Sequence, residues 1–252
     1  MTTEPSPPAE ASTAHFPETG FDAKAMPVLS AAECDAVNQA IHECRPSWTR
    51  MDDNLPMYTL GAAAYVEGGS GREANYLAKA REINPMLHER FGWLYERLAE
   101  TVSRAVGEPA RYDAEHLSLP GFHVFLAHPA FTRPVASIHF DIQYEYIDWR
   151  AHPGLDFSRQ LSMTLSIRLP ASGGGLKLWD LDFDTYEKMS PAEQRHFKDG
   201  RENFEIMPYQ EGSMVIHSGF QLHQIAPARE MREGDQRITL QTHAVHGDRR
   251  ER

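Results

Sequence analysis

The chain has 252 residues, of which 41% are hydrophobic, and its formal net charge is −11. This length and apolar content predict one globular domain with a core of its own. The acidic balance argues against a broad nucleic-acid-binding surface, and the absence of any run of about 18 apolar residues argues against a membrane span.

The first 20 residues are rich in proline and contain no apolar stretch of the signal-peptide type. We expect a disordered tail over residues 1–20 and a single domain over residues 21–246. Cys34 and Cys44 are the two cysteines. On one helix they would lie about 15 Å apart, too far for a disulfide, and two unpaired thiols suit a cytoplasmic location.

A first helix is predicted to begin at Ser30. Ser30 and Glu33 have the spacing of a capping box, and Pro46 is expected to lie beyond the end of the helix. Residues 57–66 are then predicted to form a strand. Gly68, Gly69 and Gly71 predict a loop after it.

A second, long helix is predicted from Asn84 as its cap, with Pro85 in the first turn and Gly107 as the stop. Apolar residues recur along it at intervals of three or four, which predicts one buried face. The residues of this face are Ile83, Leu87, Phe91, Leu94, Leu98 and Val102.

The rest of the chain is predicted to form mainly strands instead of helices. Short strands are predicted at residues 119–127, 135–143, 161–169, 176–179, 213–217 and 237–245. Helices followed by many strands predict an α+β fold, with a double-stranded β-helix (jelly-roll) core and an N-terminal helical layer. The polar residues 180–203 are expected to form an insertion over one mouth of the barrel, with a helix at about 191–197.

The segment 137–143 carries the strongest chemical signal. Its alternation places His139, Asp141 and Gln143 on one face of the predicted strand and the apolar residues on the other. His139 and Asp141 would then be two metal ligands on one face, and His223 is a candidate for the third. Two histidines and one carboxylate make the facial triad of non-haem Fe(II) oxygenases. The alternative for the HxD pattern alone is a solvated or buried polar pair.

The order of motifs from residue 118 to residue 246 resembles the 2-oxoglutarate-dependent Fe(II) oxygenases, in particular the prolyl-hydroxylase-like branch that acts on small molecules. The motifs are, in chain order, His139-Phe140-Asp141, the glycine-rich turn 173–175, the strand-like run 211–216, His223 and Arg237-Ile238-Thr239. The resemblance implies that His139, Asp141 and His223 bind iron. It also implies that Arg237 grips the far carboxylate of 2-oxoglutarate and that Thr239 hydrogen-bonds beside it.

Other histidines compete for a role in this site. His217 lies six residues before His223, but in the resembled family a short loop separates the preceding strand from the distal ligand, which favours His223. His217 is then a strand-end histidine that supports the ligands. His123 would line the pocket or form a hydrogen-bonded interior histidine, and His243 shares the predicted face of Arg237. The remaining histidines carry no signal above ordinary surface or core use.

The activity implied by the resemblance needs Fe(II), 2-oxoglutarate and O2. It is the hydroxylation, or another oxidation, of an unactivated C–H bond in a small molecule such as an amino acid or a natural-product intermediate. Halogenases of this superfamily have Gly or Ala in place of the carboxylate, so Asp141 favours hydroxylation. The alternatives are a cupin-like isomerase, lyase or binding protein without 2-oxoglutarate, which has no need of a buried Arg237, and a peptide or protein hydroxylase.

Candidate substrate contacts come from two places. Gln143 and Tyr144 follow Asp141 directly. Thr164 and Arg168 belong to the polar face of the predicted strand at 161–169, which either lines the barrel or faces solvent.

Overall fold

The structure is a computed structural model, and it describes residues 23–67, 71–198 and 204–247. Three expectations therefore fall wholly or partly outside the described residues: the tail at 1–20, the loop glycines Gly68 and Gly69, and the end of the polar insertion at 199–203.

The described residues form four α-helices and ten strands. The helices are α1 (Ala31–Glu43), α2 (Arg72–Val106), α3 (Phe183–Lys188) and α4 (Pro191–Lys198). The strands are β1 (Lys24–Pro27), β2 (Thr49–Arg50), β3 (Met57–Leu60), β4 (Gly121–Leu126), β5 (Leu155–Arg168), β6 (Ser172–Asp182), β7 (Glu205–Met207), β8 (Ser213–Ser218), β9 (Gln221–Glu230) and β10 (Gln236–Gly247). Across these ranges no helix combines the length and the apolar character that crossing a membrane requires.

The strands form two antiparallel sheets that face each other. The large sheet has the order β1-β8-β5-β10-β4-β3-β2, and the small sheet has the order β7-β6-β9. Leu176 and Leu178 of the small sheet pack against Val215 of the large sheet and against Tyr209, so the two sheets share an interior. This is the double-sheet architecture that the strand pattern predicts.

The outer face of the large sheet is apolar and carries the helical layer. Phe122 of β4, Leu165 of β5 and Ile238 of β10 belong to one buried cluster with residues of α1 and α2. Because side chains alternate across a strand, the residues between them point into the space between the sheets. The main core therefore lies outside the barrel, and this leaves the barrel interior free for polar side chains.

The first helix and the end of the second are confirmed. Ser30 caps α1, and both hydrogen bonds of the predicted capping box with Glu33 are present. Gly107 ends α2 in the left-handed conformation at φ +75°, and the six predicted residues of the apolar stripe are all buried. Both cysteines are free and buried.

The predicted start of the long helix is wrong. Helix α2 begins at Arg72, so Asn84 and Pro85 lie in its interior. The preceding turns are rich in good helix formers and bury Tyr76 and Ala80, and this packing outweighs the hydrogen bond that proline removes. The Asn84 side chain is buried and fixes the loop after the helix: it donates to the carbonyl of Leu117 at 2.8 Å and accepts from Leu119 N–H at 3.0 Å.

The strand predicted at 57–66 is also too long. Strand β3 ends at Leu60, and Gly61 follows with a φ of +127°. A Cβ at Gly61 would lie 2.8 Å from the Cα of Gly121, so the close approach of the two backbones requires glycine here.

The segment that carries His139 and Asp141 is extended, but it is not a strand. It makes one isolated antiparallel bridge, between His139 and His223. A regular ladder would next pair Asp141 with Gln221, but Asp141 N–H donates instead to the carbonyl of Gly219 at 2.8 Å, in the turn between β8 and β9. The predicted alternation nevertheless holds, because Ile138 and Phe140 pack on the opposite side against a buried cluster that includes Trp179.

The remaining predictions concern the second half of the chain. Strands lie at the other five predicted positions, and β5 and β6 extend well beyond the predicted residues. The helix expected at 191–197 is α4, whereas α3 and the strand β9 that carries His223 were not predicted. Strand β9 lies at one edge of the small sheet, next to the segment of His139.

Candidate metal centre

The structure brings His139, Asp141 and His223 together at one end of the barrel. Each offers one ligand atom, and the three atoms lie within 4.8 Å of one another. His139 Nε2 is 3.6 Å from Asp141 Oδ1, and His223 Nε2 is 3.3 Å from Asp141 Oδ2. Ligand atoms about 2.1 Å from one ion and at right angles to each other are roughly 3 Å apart, so the three side chains fit a single ion with little adjustment.

Backbone pairing holds the two histidines side by side. His139 N–H donates to the carbonyl of His223, and His223 N–H donates back, both at 3.0 Å. Their rings lie 4.4 Å apart between centroids. The relative position of these two side chains is therefore set by main-chain hydrogen bonds.

Both imidazole rings are oriented by their second nitrogen. His139 Nδ1 lies 2.8 Å from the carbonyl of Ser137, and His223 Nδ1 lies 2.7 Å from the carbonyl of Gln221. A carbonyl oxygen only accepts, so Nδ1 carries a proton in each ring, and Nε2, which faces Asp141, offers its lone pair to a metal once its own proton has left. This is the tautomer that a metal ligand needs.

Asp141 is held as a buried carboxylate. The residue is 7% exposed, and Gln143 Nε2 donates to its Oδ1 at 2.8 Å. Burial raises the pKa of Asp141, but the charge of His223 and the hydrogen bonds from His139 and His223 outweigh it and hold this pKa well below its usual range. The side chain of Gln160 donates to the Asp141 carbonyl and so fixes its backbone. Gln143, a predicted substrate contact, thus touches a residue of the triad.

His217 lies beside the triad rather than in it. Its ring centroid is 4.7 Å from that of His223, and its Nδ1 is 2.8 Å from the carbonyl of Ser218. Burial, followed by the charge of His223, lowers the pKa of His217 to about 3, so it is neutral. Its nitrogens are not among the atoms that converge with Asp141.

Arg237 is a buried cation, and none of the described residues is an acidic partner for it. It is 7% exposed, and its Nη1 donates to the carbonyl of Ala226 at 3.2 Å. Its guanidinium carbon lies 5.2 Å from the centroid of the Tyr209 ring. Nε and Nη2 are buried and have no hydrogen-bond partner within residues 23–67, 71–198 and 204–247. Burial lowers the pKa of Arg237. Thr239 is also buried and lies on the same face of β10.

The inner face of β5 is polar and buried. Ser162, Thr164 and Ser166 are all buried, so the solvent-facing alternative for them is wrong. Ser162 Oγ lies 3.1 Å from His243 Nδ1, and the side chain of Thr164 forms a hydrogen bond with that of Tyr209. Ser166 Oγ has no partner.

Arg168, which the sequence groups with this face, is engaged elsewhere. At the end of β5 it pairs with Asp35 of α1 and, at 3.3 Å, with Glu211. The structure therefore does not bring Arg168 to the triad.

A cavity of about 1220 Å³ reaches the residues that contact Asp141. Gln143 and Gln160 line it on that side, and His123 and His243 line it from β4 and β10. Tyr144 also lines the cavity, with its ring stacked 4.9 Å from that of Phe157. The side chain of His139 is 35% exposed, so the triad is open on one side.

Three residues of this region were missed by sequence reasoning. Tyr65 stacks on His123 at 6.0 Å and its hydroxyl contacts His123 Nε2, Tyr209 covers Arg237, and Gln160 fixes Asp141. Each is a single residue with no motif around it, so only the packing of distant segments reveals it.

No protein-family model matches this sequence, and no curated protein matches it either. Among solved structures, the chain is similar to a novel N-substituted L-amino acid dioxygenase from Burkholderia ambifaria AMMD. The identity is 18%, the match covers 90% of this chain and 84% of the other, and the TM-score is 0.54. The same dioxygenase in complex with α-ketoglutarate matches with 17% identity, 90% and 83% coverage and a TM-score of 0.52.

These likenesses show that the chain shares its fold with this dioxygenase. The predicted α+β jelly roll is thereby confirmed. Within this fold, His139, Asp141 and His223 occupy one end of the barrel interior, and the buried Arg237 lies on the same barrel's large sheet.

Proposed function

We propose that this protein is an Fe(II)- and 2-oxoglutarate-dependent oxygenase that oxidises a C–H bond of a small molecule. His139, Asp141 and His223 would hold the iron, and Arg237 with Thr239 would bind the distal carboxylate of 2-oxoglutarate. The proposal draws on the triad geometry, on the fold, and on a similar dioxygenase that has been observed with α-ketoglutarate.

The observation that carries the proposal is the unpaired guanidinium of Arg237. A buried charge is costly unless it is paired, and two buried donors of Arg237 have no acceptor in the part of the chain that the structure describes. A carboxylate that lies across Nε and Nη2 would satisfy both in the bidentate geometry that arginine favours. A metal protein that binds no carboxylate ligand has no use for this arrangement, so the cupin-like alternative leaves Arg237 unexplained.

The residues around the site would bind the metal and 2-oxoglutarate and exclude water from them. Bound iron and 2-oxoglutarate would supply O2 activation and the oxidation of the substrate C–H. Asp141 and the two histidines would hold the ion beside Gln143 and Gln160, the two residues that line the cavity and contact Asp141. Burial of Arg237 beneath the Tyr209 ring keeps water away from the carboxylate that it would bind.

The substrate would enter from the cavity of about 1220 Å³. Gln143 and Tyr144 line this cavity next to Asp141 and are the proposed substrate contacts. Thr164 is buried on the inner face of β5 and contacts Tyr209, so we propose it as a contact on the side of 2-oxoglutarate. An amino acid or a natural-product intermediate is the proposed class, and the similar dioxygenase is described as acting on N-substituted L-amino acids. We favour hydroxylation over halogenation because the Asp141 carboxylate occupies the position where a halide would bind.

The test is an anaerobic titration of the metal-free protein with Fe(II) and then with 2-oxoglutarate. We expect the weak visible charge-transfer band of an iron chelate, saturating at one equivalent, followed by succinate release when O2 and a substrate are added. Iron binding without the band would refute 2-oxoglutarate binding at this site and favour a cupin-like metal protein. Absence of iron binding would refute the triad.

A further inference from the structure

A second group of potential metal ligands lies at the rim of the cavity, outside the triad. It consists of Asp113 and His116, in the loop between α2 and β4, and His152, directly after the short 3-10 turn Trp149–Ala151. Asp113 and His152 both line the cavity. The three residues together are called the rim cluster below.

The geometry of the rim cluster is close to that of a metal site. His116 Nδ1 lies 2.9 Å from Asp113 Oδ1, His152 Nδ1 lies 3.7 Å from Asp113 Oδ2, and the three ligand atoms lie within 4.8 Å of one another. Ligands of a tetrahedral zinc ion, with bonds of about 2.1 Å, are about 3.4 Å apart. The two pairs that include Asp113 are each within about half an ångström of this spacing, so rotations of these flexible side chains would bring the ligand atoms to coordination distance.

Two of the three ligands are preorganised by the backbone. The N–H groups of His116 and Leu117 both donate to the carbonyl of Asp113, at 3.3 and 2.9 Å, so a single turn presents Asp113 and His116 together. Neither Lys nor Arg pairs with Asp113 in the part of the chain that the structure describes; its ion-pair partners there are the two histidines. The carboxylate is thus free of a competing fixed cation.

The rim cluster joins two segments of the cavity rim, the α2–β4 loop and residues 143–154, which both also pack on one buried cluster through Leu117 and Ile147. The second segment, residues 143–154, carries Gln143 and Tyr144 and is tied to the start of α2 at another point. Asp148 N–H donates to Glu73 Oε1 at 2.7 Å, and Arg72 lies 4.4 Å over the Tyr146 ring. A metal ion between His152 and the α2–β4 loop would fasten this segment at its other end.

We propose that the rim cluster binds one divalent transition-metal ion of the zinc class, through two imidazoles and one carboxylate, and that this ion fastens residues 143–154 across the cavity mouth. Imidazole and carboxylate ligands suit such ions, and solvent would fill the fourth position because Asp113 and His116 are exposed. The site is independent of the triad and of 2-oxoglutarate binding.

Zinc stoichiometry, measured by calorimetry at neutral pH, tests the site. Wild type should bind two Zn2+ ions, one at the triad and one at the rim, and Asp113→Asn should lose one of them or bind it at least about tenfold more weakly. The triad variant His139→Ala with His223→Ala should keep the rim ion. Equal stoichiometry and affinity in wild type and Asp113→Asn would overturn the proposal, as would a triad variant that binds no zinc.

Hydrogen exchange tests the fastening of the segment and needs no activity measurement. Zinc should slow amide exchange in peptides covering 143–154 in the wild type and in His88→Ala, which removes an exposed histidine of α2. It should not do so in His116→Ala with His152→Ala. Equal slowing in that double variant would show that zinc acts elsewhere, and no slowing in the wild type would overturn the fastening.

Discussion

Replacement of Arg237 by methionine should weaken the binding of 2-oxoglutarate while leaving the stability of the ligand-free protein almost unchanged. The change removes the bond to Ala226 and the contact with Tyr209, which together contribute about 2 to 5 kcal/mol. It also removes two buried donors without partners, which cost about 1 to 3 kcal/mol each. These effects nearly cancel, so the free energy of unfolding of the ligand-free protein should change by less than about 1 kcal/mol.

Binding of 2-oxoglutarate should respond very differently. Loss of one partner of a buried charge pair costs about 2 to 5 kcal/mol, which is about 30-fold to several thousand-fold in the dissociation constant. We would measure this constant by anaerobic calorimetry on the Fe(II)-loaded protein, and stability by urea unfolding of the metal-free protein. Unchanged affinity in Arg237→Met would refute the role of Arg237.

Arg168→Met is the matched control. The same side-chain change here removes a guanidinium that is already paired with Asp35 and Glu211 and is 28% exposed. It should leave the 2-oxoglutarate affinity unaltered and lower stability by about 1 kcal/mol or less. A large loss of stability in Arg237→Met but not in Arg168→Met would mean that the donors of Arg237 have partners in the ligand-free protein.

Three further changes probe other parts of the structure. Asp141→Gly should abolish succinate formation, measured with Fe(II), 2-oxoglutarate and O2, because it removes the only carboxylate of the proposed triad. Gly219→Ala should weaken Fe(II) binding about 10- to 100-fold, since its Cβ would lie 2.4 Å from Gln160 Nε2 and displace the side chain that fixes Asp141. Glu33→Gln should lower the free energy of unfolding at pH 7 by about 0.5 to 1 kcal/mol, because it removes the carboxylate charge that accepts from the Ser30 backbone and pairs with Arg97.

The pH dependence of the last variant follows from the pKa of Glu33. Hydrogen bonds from the Ser30 backbone and from Arg97 lower this pKa in the folded protein. A lowered pKa contributes stability above the unfolded-state value, and the contribution is lost as the pH falls through the folded-state value. The difference between wild type and Glu33→Gln, measured by urea unfolding, should therefore shrink on acidification; a difference that grows would contradict the assignment.

For the other two variants, retained turnover in Asp141→Gly would remove Asp141 from the ligand set. Unchanged iron affinity in Gly219→Ala would show that Gln160 does not position Asp141. Gly92→Ala serves as its control for the introduction of a methyl group, because Gly92 does not adopt a positive φ and a Cβ there meets only the His88 ring, at an ordinary 3.6 Å.

The chemistry of the site was easier to predict from sequence than its local structure. In residues 137–143, an extended backbone is enough to determine the side to which each side chain points. The alternating pattern therefore predicted that His139 and Asp141 lie on one side and Phe140 on the other. Whether such a segment is a strand depends on a partner far along the chain. Here the pairing with β9 ends after His139, because Asp141 N–H donates to Gly219 in the preceding turn. A local sequence pattern cannot show this.

Local sequence patterns also gave wrong predictions where the burial of side chains determines the secondary structure. Asn84 and Pro85 have the pattern of a helix start, yet the turns before them are helical because they bury apolar residues against the barrel and the following loop. The rim histidines His116 and His152 looked ordinary because the loops that carry them meet only in the folded protein. The ligand roles assigned to the triad and to Arg237 remain predictions for the titrations above.

The backbone bridge between His139 and His223 determines when a metal site can exist during folding. The two residues are joined by two main-chain hydrogen bonds, although 83 residues separate them along the chain. Closing so long a loop costs conformational entropy, and in the unfolded chain no packing compensates for this cost. The ligands therefore stay apart until the small sheet has formed. An ion therefore cannot act as an early template here. It can be captured only by a barrel that is already nearly complete, and it then stabilises the folded state by an amount that grows with the logarithm of its affinity.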